Sequence, residues 1–474
     1  MQVVYGEIGT IGTVSGMTAD ASSGLFEALP EQGSPERPRA APRLRRAERR
    51  QASLRPVCLE ELLPADHRAR FVWGFAERLD LSALYDAIKA VEGHPGHPAA
   101  DPRILLALWL YATVEGVGSA RELDRFCCEH IGFEWLCGGV GMNHTTLAEF
   151  RVAHGAVLER LLIDSFTALL STSHASLARV AQDGMRVRAA AGAASFRRPA
   201  SLERCRAEAA AEVARLRAEL EANPGRLSRR QAAARQHAAA EREQRVEAAL
   251  AVAEQLSAQR ESEQRRCGQD PPEPESGPAG EGVSKPPPKP RVSTTDAEAQ
   301  VMKMPDGGFR PAFNLGFASD PRSGMVAAVT LDNNGSDKGQ LRPMSERLDE
   351  AYGQRPGEHL VDGGFTKLAD IEALAAAGVA VFAPVPKPRN AERDPHAPLD
   401  GDGPGVAAWR QRMGSEAAKA IYKERAATAE CVNAQCRNRG LLRFLVRGIE
   451  KARTVGLWHA LAHNMMCTGR LLAT

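Results

Sequence analysis

The chain has no Cys-x-x-Cys pair, no long apolar run and almost no net charge. Its nine cysteines are odd in number and unpaired in spacing, which leaves no disulfide framework or zinc ribbon to organise it. Cys127, Cys128, His130 and Cys137 fall in RELDRFCCEHIGFEWLC. That stretch is amphipathic, and a free cysteine in it behaves as a small core residue. His459 and His463 stand four apart between Leu and Ala in LWHALAHN, the pattern of a packed helix rather than of a zinc pair. No segment approaches the ~18 apolar residues of a membrane span. The N-terminus has no basic start followed by an apolar run, so it does not read as a secretory leader. The expectation is a cytoplasmic chain with reduced thiols and no membrane partner. The net charge of +2 by itself says nothing about nucleic acid, but its distribution does. Residues 405–474 carry twelve Arg and Lys against four acids, a local excess suited to a polyanion.

At 474 residues the chain exceeds one domain by length. Residues 1–54 are rich in Gly, Ser and Pro and contain the basic run RPRAAPRLRRAERR, so they read as a disordered basic arm. Residues 55–175 read as an all-helical N-terminal domain fit to bind DNA. Asp101-Pro102 opens a strong helix. Ser119 to Glu122 and Thr146 to Glu149 have capping-box spacing, and the turns between them suit a helix-turn-helix-like unit. Residues 176–199 supply a first strand of an α/β core. Residues 200–291 read as an insert: an Ala/Arg/Glu-rich helical hairpin, broken at Asn223-Pro224-Gly225, and then a Pro-rich linker. Residues 292–474 return to α/β. FNLGFASD and GMVAAVTLDN form a hairpin, EHLVDGG and VAVFAPV are short buried strands between helices, and a long helical region follows. Strand–helix–strand units of this kind imply a mixed sheet with flanking helices.

Three carboxylates stand in settings that let them meet. Asp183 closes the apolar stretch LARVAQ, Asp362 closes EHLV, and Glu430 lies in a basic helical segment. Two strand-end aspartates and a helix glutamate can hold two divalent cations roughly 3.5–4 Å apart, which supports in-line displacement at phosphorus. On a regular helix Lys423, Glu430 and Arg437, spaced seven apart, fall on one stripe at ~100° per residue. That stripe would set a carboxylate between two cations able to hold phosphates.

With these motifs the chain resembles the DDE transposases of bacterial insertion sequences, and within them the branch of insertion sequence eleven-eighty-two. The likeness runs through LLPADHRARFVWGFAERLDLSALY, DPRILLALWLYATVEGVGSARELDRF, HTTLAEFR, QDGMRVRA and LVDGGFTKLADIE. It continues into a helix signature of Tyr422, Arg425, Glu430 and Arg437. Here Arg437 replaces the usual lysine, and one extra residue separates Arg425 from Glu430. The resemblance implies an RNase H-like core with Asp183, Asp362 and Glu430 as catalytic and metal-binding residues. It also implies two Mg2+ ions, with Mn2+ able to substitute. The implied activity is cleavage at element ends and strand transfer into target DNA. Implied partners are double-stranded DNA with terminal inverted repeats, the target DNA and a second copy of the chain in an active homodimer; the implied setting is the bacterial nucleoid. Lys423, Arg425, Arg437, Arg439, Arg443 and Arg447 are the candidate DNA contacts. The principal alternative is a decayed or domesticated transposase that binds DNA without catalysis.

Overall fold

Local sequence signals start most of the N-terminal helices. In the computed structural model, which describes residues 58–90, 98–222, 228–266, 290–388 and 393–471, these are α1 (Arg68–Glu77), α2 (Ser82–Asp86), α3 (Pro102–Val114), α4 (Ala120–Glu129), α5 (Ile131–Cys137), α6 (His144–Ala153) and α7 (Gly155–Ser171). The basic arm expected over 1–54 lies outside the described residues, as does most of the Pro-rich linker (267–289). Asp101 caps α3 by accepting from the Arg103 amide at 2.8 Å, and Pro102 takes the first turn. The α3 residues from Ile104 to Thr113 are buried all round. Ser119 caps α4 as its spacing predicts. The next helix departs from the expected start at Thr146. Asn143 Oδ1 accepts from the Thr146 amide at 2.9 Å, so α6 begins at His144. A break at His154 then separates α6 from α7.

Strand β1 (Arg179–Arg188) is the hub of the sheet. A short strand β2 (Phe196–Arg197) follows, then helices α8 (Pro199–Ala222) and α9 (Arg229–Arg266), which pack on each other, and β3 (Val292–Ser293), which pairs with β2. Leu202, Ala249, Ala253 and Val292 form a small core of their own there. The sheet resumes with β4 (Gln300–Lys303), β5 (Phe309–Ser319) and β6 (Val326–Asp332). Helix α10 (Leu341–Tyr352), β7 (Glu358–Leu360), α11 (Leu368–Ala376) and β8 (Ala380–Phe382) complete it. Strand order is β4-β5-β1-β7-β8, with β6 also on β5. β5 runs antiparallel to β1, β4 and β6, whereas β7 and β8 are parallel to their neighbours. The sheet is therefore mixed.

The C-terminal region is not one long helix. It runs as α12 (Pro404–Gly414), α13 (Glu416–Arg425), a π-helical turn over Ala426–Glu430, α14 (Cys431–Asn438) and α15 (Ile449–Leu471). Gly440 and Gly448, with φ of 85° and 87°, flank the break before α15. Glu430 therefore sits two elements before the terminal helix rather than on it. One face of the sheet, through Met185, Leu315, Phe317 and Val329, shares a core with α15 and the N-terminal helices. α15 approaches β5 so closely that a Cβ on Gly456 would lie 2.8 Å from Leu315 Cδ1. Asn464 bonds both backbone groups of Val326 on β6. The opposite core joins β7 and β8 to α11, α12 and α13. The end of β1 is held separately: the Arg188 amide donates to the Leu442 carbonyl, and the Phe444 amide to the Arg188 carbonyl. Among the described residues no helix is long and apolar enough to cross a membrane.

Candidate active site

Asp183 was expected at a strand end, but β1 continues for five residues beyond it. What ends near Asp183 is the parallel ladder: β1 pairs with β7 only as far as Ala181↔Leu360, whereas Asp183 itself is paired with Phe317 of β5. The strand outlasts its parallel partner because β5 is long. Asp183 thus stands just past the end of β7, and Asp362, two residues after β7, stands beside it. Asp362 accepts from the Gly364 amide at 2.8 Å and caps a short 3-10 turn.

Arg425 lies between them. Its Nη2 is 3.6 Å from Asp183 Oδ1 and 3.6 Å from Asp362 Oδ2. The residue is 8 % exposed. Arg425 therefore faces the two aspartates rather than a solvent surface, which departs from its expected place among the outward DNA contacts. Asn433 of α14, also buried, donates from Nδ2 to Asp183 Oδ2 at 2.9 Å. Arg179 anchors α13 to the sheet by pairing with Glu358 of β7 at 2.5 Å and Glu424 of α13 at 2.6 Å.

The extra residue between Arg425 and Glu430 has a local structural answer. Those positions bracket the π turn, in which an amide bonds the carbonyl five residues back. Residues five apart then stack as residues four apart do in an α-helix. The turn presents Thr428 and Ala429 to the interior, against β1 and β5, and leaves Glu430 exposed. It also breaks the regular geometry on which a straight Lys423–Glu430–Arg437 stripe depends. Tyr422 is half-buried, and burial raises its phenol. Arg425 opposes the rise, while Asp362, Asp183 and Glu430 each add to it.

Burial pushes the Asp183 carboxyl up to about 6; Arg425 opposes this, and Asp362 and Asp337 add to it. Asp337 was not singled out in the sequence, because it lies in a loop, NNGSDKGQ, with no apolar strand to mark it. It accepts from Asn314 Nδ2 at 2.7 Å. A Cβ on Gly184 would lie 2.6 Å from Asp337 Oδ1, so the residue after Asp183 has no room for a side chain. Asp332, at the end of β6, is likewise pushed up to about 6 by burial.

Among the described residues no three His, Cys, Asp or Glu side chains are drawn together as a ready metal cage. The donor chemistry nevertheless fits a hard divalent cation. The candidate donors are carboxylate oxygens, and Oδ1 of Asn433 and of Asn314 are buried without a partner. Arg425 supplies positive charge between Asp183 and Asp362, where a cation would otherwise balance them.

The remaining candidates divide. Lys423, Arg437 and Arg443 are exposed. Arg447 pairs with Glu241 of α9 at 3.4 Å, a half-exposed contact. Arg439 is partly buried and lines a cavity beside α4. Cys127 and Cys137 are core residues, and His459 and His463 are buried in α15.

The mixed sheet centred on β1 sets Asp183 and Asp362 against one guanidinium past the end of its parallel ladder, which marks the class of carboxylate-bearing α/β folds. Two family models make the class specific. Residues 57–153 match a transposase domain (DUF772), and residues 284–465 match a transposase DDE domain. The chain carries transposase domains, and DNA transposition and recombination in mobile elements are the processes to which they assign it. The DDE match implies an RNase H-like core, a DNA substrate and an enzyme of transposase or nuclease type. Asp362 and Glu430 lie within the second match; Asp183 lies between the two, on a strand of the same sheet. Comparison with curated proteins and with solved structures gives no match.

Proposed function

We propose that the chain is a DDE transposase of the insertion-sequence type, in the branch of insertion sequence eleven-eighty-two. In this reading it cleaves DNA at the ends of its element and joins the freed ends to target DNA. The observation that carries this reading is the shared contact of Asp183 and Asp362 with one guanidinium, in a chain with two transposase-domain matches. Asp183, Asp362 and Glu430 would hold divalent cations, Mg2+ or Mn2+. When bound, such ions supply charge neutralisation and an activated oxygen nucleophile at phosphorus.

The chain's own residues do the rest. Asn433 holds Oδ2 of Asp183 and the Gly184 amide holds Oδ1 at 3.0 Å, so the carboxylate is fixed in orientation and its remaining lone pairs serve for ligation. Arg425, freed from the aspartates, is placed to meet charge growing on the equatorial phosphate oxygens. In the first step water attacks the phosphodiester at the element end, and the departing strand is a 3′-hydroxyl. In the second step that hydroxyl attacks a target phosphodiester and expels a target 3′-hydroxyl. Exposed Lys423 and Arg437 supply backbone contacts. The active complex is a homodimer on inverted repeats, and the setting is the bacterial cytoplasm at the nucleoid.

The test is Asp183→Asn in the full chain, assayed with Mg2+ on DNA carrying the inverted repeats that flank the gene. End cleavage should fall by many powers of ten, while a gel shift on the same DNA stays within about twofold. Wild-type-like cleavage by the variant would remove Asp183 from the site. A wild-type chain that binds the ends but never cuts them would favour the non-catalytic alternative.

A further inference from the structure

A second concentration of positive charge lies away from the three carboxylates, none of which lines it. The turn between α3 and α4, the end of α6, the segment after α14 and the middle of α15 enclose a cavity of about 280 Å3. Arg151 of α6 is 8 % exposed. Its guanidinium donates to the Gly118 carbonyl and lies over the Trp109 ring at 4.9 Å. Arg439 lines the same space with Nη1 buried and unpartnered, and Arg443 lines it too. Among the described residues, none of these three arginines forms an ion pair. His459 is 7 % exposed, and its Nδ1 is buried without a partner. Among the described residues the one acid on the wall is Glu122, which faces Arg125 at 4.0 Å.

Burying a guanidinium without an anion is costly, because its lost hydration is not replaced. The ring contact of Arg151 offsets only part of that. A cavity that gathers unpaired guanidiniums beside unused hydrogen-bonding groups lacks a negative partner. The turn adds the ten-residue helix α4, whose first turn begins at the cavity wall with Gly118 and Ser119. The partial positive charge of a helix N-terminus adds to that of the side chains. Donors from separate chain segments around one void suit a tetrahedral oxyanion better than a flat carboxylate, and guanidinium is well matched to phosphate.

We propose that this cavity is a phosphate-binding pocket, held by Arg151, Arg439, Arg443 and His459 against the N-terminus of α4. The phosphate is either that of a DNA backbone, which the transposase reading supplies, or a free inorganic anion. The pocket itself does not depend on the carboxylate chemistry.

The experiment uses the full chain and two variants, Arg439→Gln and Arg443→Gln, each first checked for wild-type circular dichroism. Thermal melting is followed in inorganic phosphate against chloride at matched ionic strength. Affinity for a DNA duplex is measured by anisotropy over a salt series. Phosphate should raise the melting temperature of the wild type and leave the variants nearly unmoved. If DNA fills the pocket, each variant should also bind DNA about tenfold more weakly, with a salt slope shallower by about one. Lost protection with unchanged DNA binding would assign the pocket to a free anion. A wild type that phosphate does not protect, with variants that bind DNA normally, would overturn the proposal. So would protection that survives in both variants. A chain that takes phosphate here but never cuts DNA would sink the proposed function and leave this pocket standing.

Discussion

Asn433, itself buried, donates a hydrogen bond to Asp183 across 250 residues of sequence at 2.9 Å. It joins α14 to the middle of β1 and, with the Gly184 amide on the other oxygen at 3.0 Å, fixes the plane of the carboxylate. Asn433→Ala should destabilise the chain by about 1–3 kcal/mol, the usual cost of a buried acceptor left without its donor. Urea unfolding measures that loss. Cleavage should fall as well, because the Asp183 carboxylate then keeps only the Gly184 amide and Arg425 to orient it. A variant with wild-type stability and rate would reduce the bond to an incidental contact.

Arg425 is the shared counter-charge of Asp183 and Asp362. Arg425→Gln should lower the stability of the metal-free chain by roughly 1 kcal/mol, the two facing carboxylates, one of them part-exposed, having lost their ion-pair partner. Mn2+ should then raise the variant's melting temperature by more than it raises the wild type's, because the competing cation is gone. A metal-induced rise equal to or below the wild-type one would show that Arg425 does not stand in for the metal.

The share of metal-free stability that Asp183 and Asp332 contribute should fall with rising pH. Burial raises Asp183 and Asp332 from the ordinary 3.8 to about 6. Both carboxyls therefore bind protons more tightly in the folded chain than in the unfolded one. The stability this gives is complete below pH ~4 and is lost as pH climbs through about 6. Asp183→Asn should flatten the slope between those values by about one proton. Denaturant unfolding in chelator at several pH values reads it, and an unchanged slope would contradict the burial of Asp183.

The π turn predicts an unusual tolerance. Deleting Ala427, an exposed residue, should convert the turn to ordinary α-helix and keep Arg425 and Glu430 on one face. End cleavage should persist within about tenfold. Deleting Ala434 in α14 should instead rotate Arg437 by ~100° relative to Glu430 and weaken DNA binding. Loss of cleavage in the first deletion with retention in the second would refute this account.

The sequence made much of the framework legible, because the relevant signals are local. Asp101-Pro102 and Ser119 mark their helices by direct capping, and the β5–β6 hairpin shows as two apolar runs with a short turn between them. What stayed hidden depends on contacts between distant segments. The length of β1 past Asp183 follows from its pairing with β5, not from its own residues. The inward turn of Arg425 follows from where α13 docks. Asp337 enters through a loop with no periodicity to betray it. The π turn leaves only an extra residue in the sequence, which looks like a defect until the backbone shows how it is accommodated.

The pairing of Arg188 with Leu442 and Phe444 has a consequence for distance. Asp183 and Arg188 lie five residues apart on one straight strand, so about 17 Å separates them. The wall of the arginine cavity, which includes Leu442 and Arg443, is fastened to the far end of that strand. β1 thus sets a fixed spacing between Asp183 and that wall. A DNA backbone gripped at the cavity would be cut at a fixed remove from that grip, and lengthening the strand would move the cut. Mapping the cleaved bond against the phosphates whose ethylation blocks binding would show whether that spacing holds.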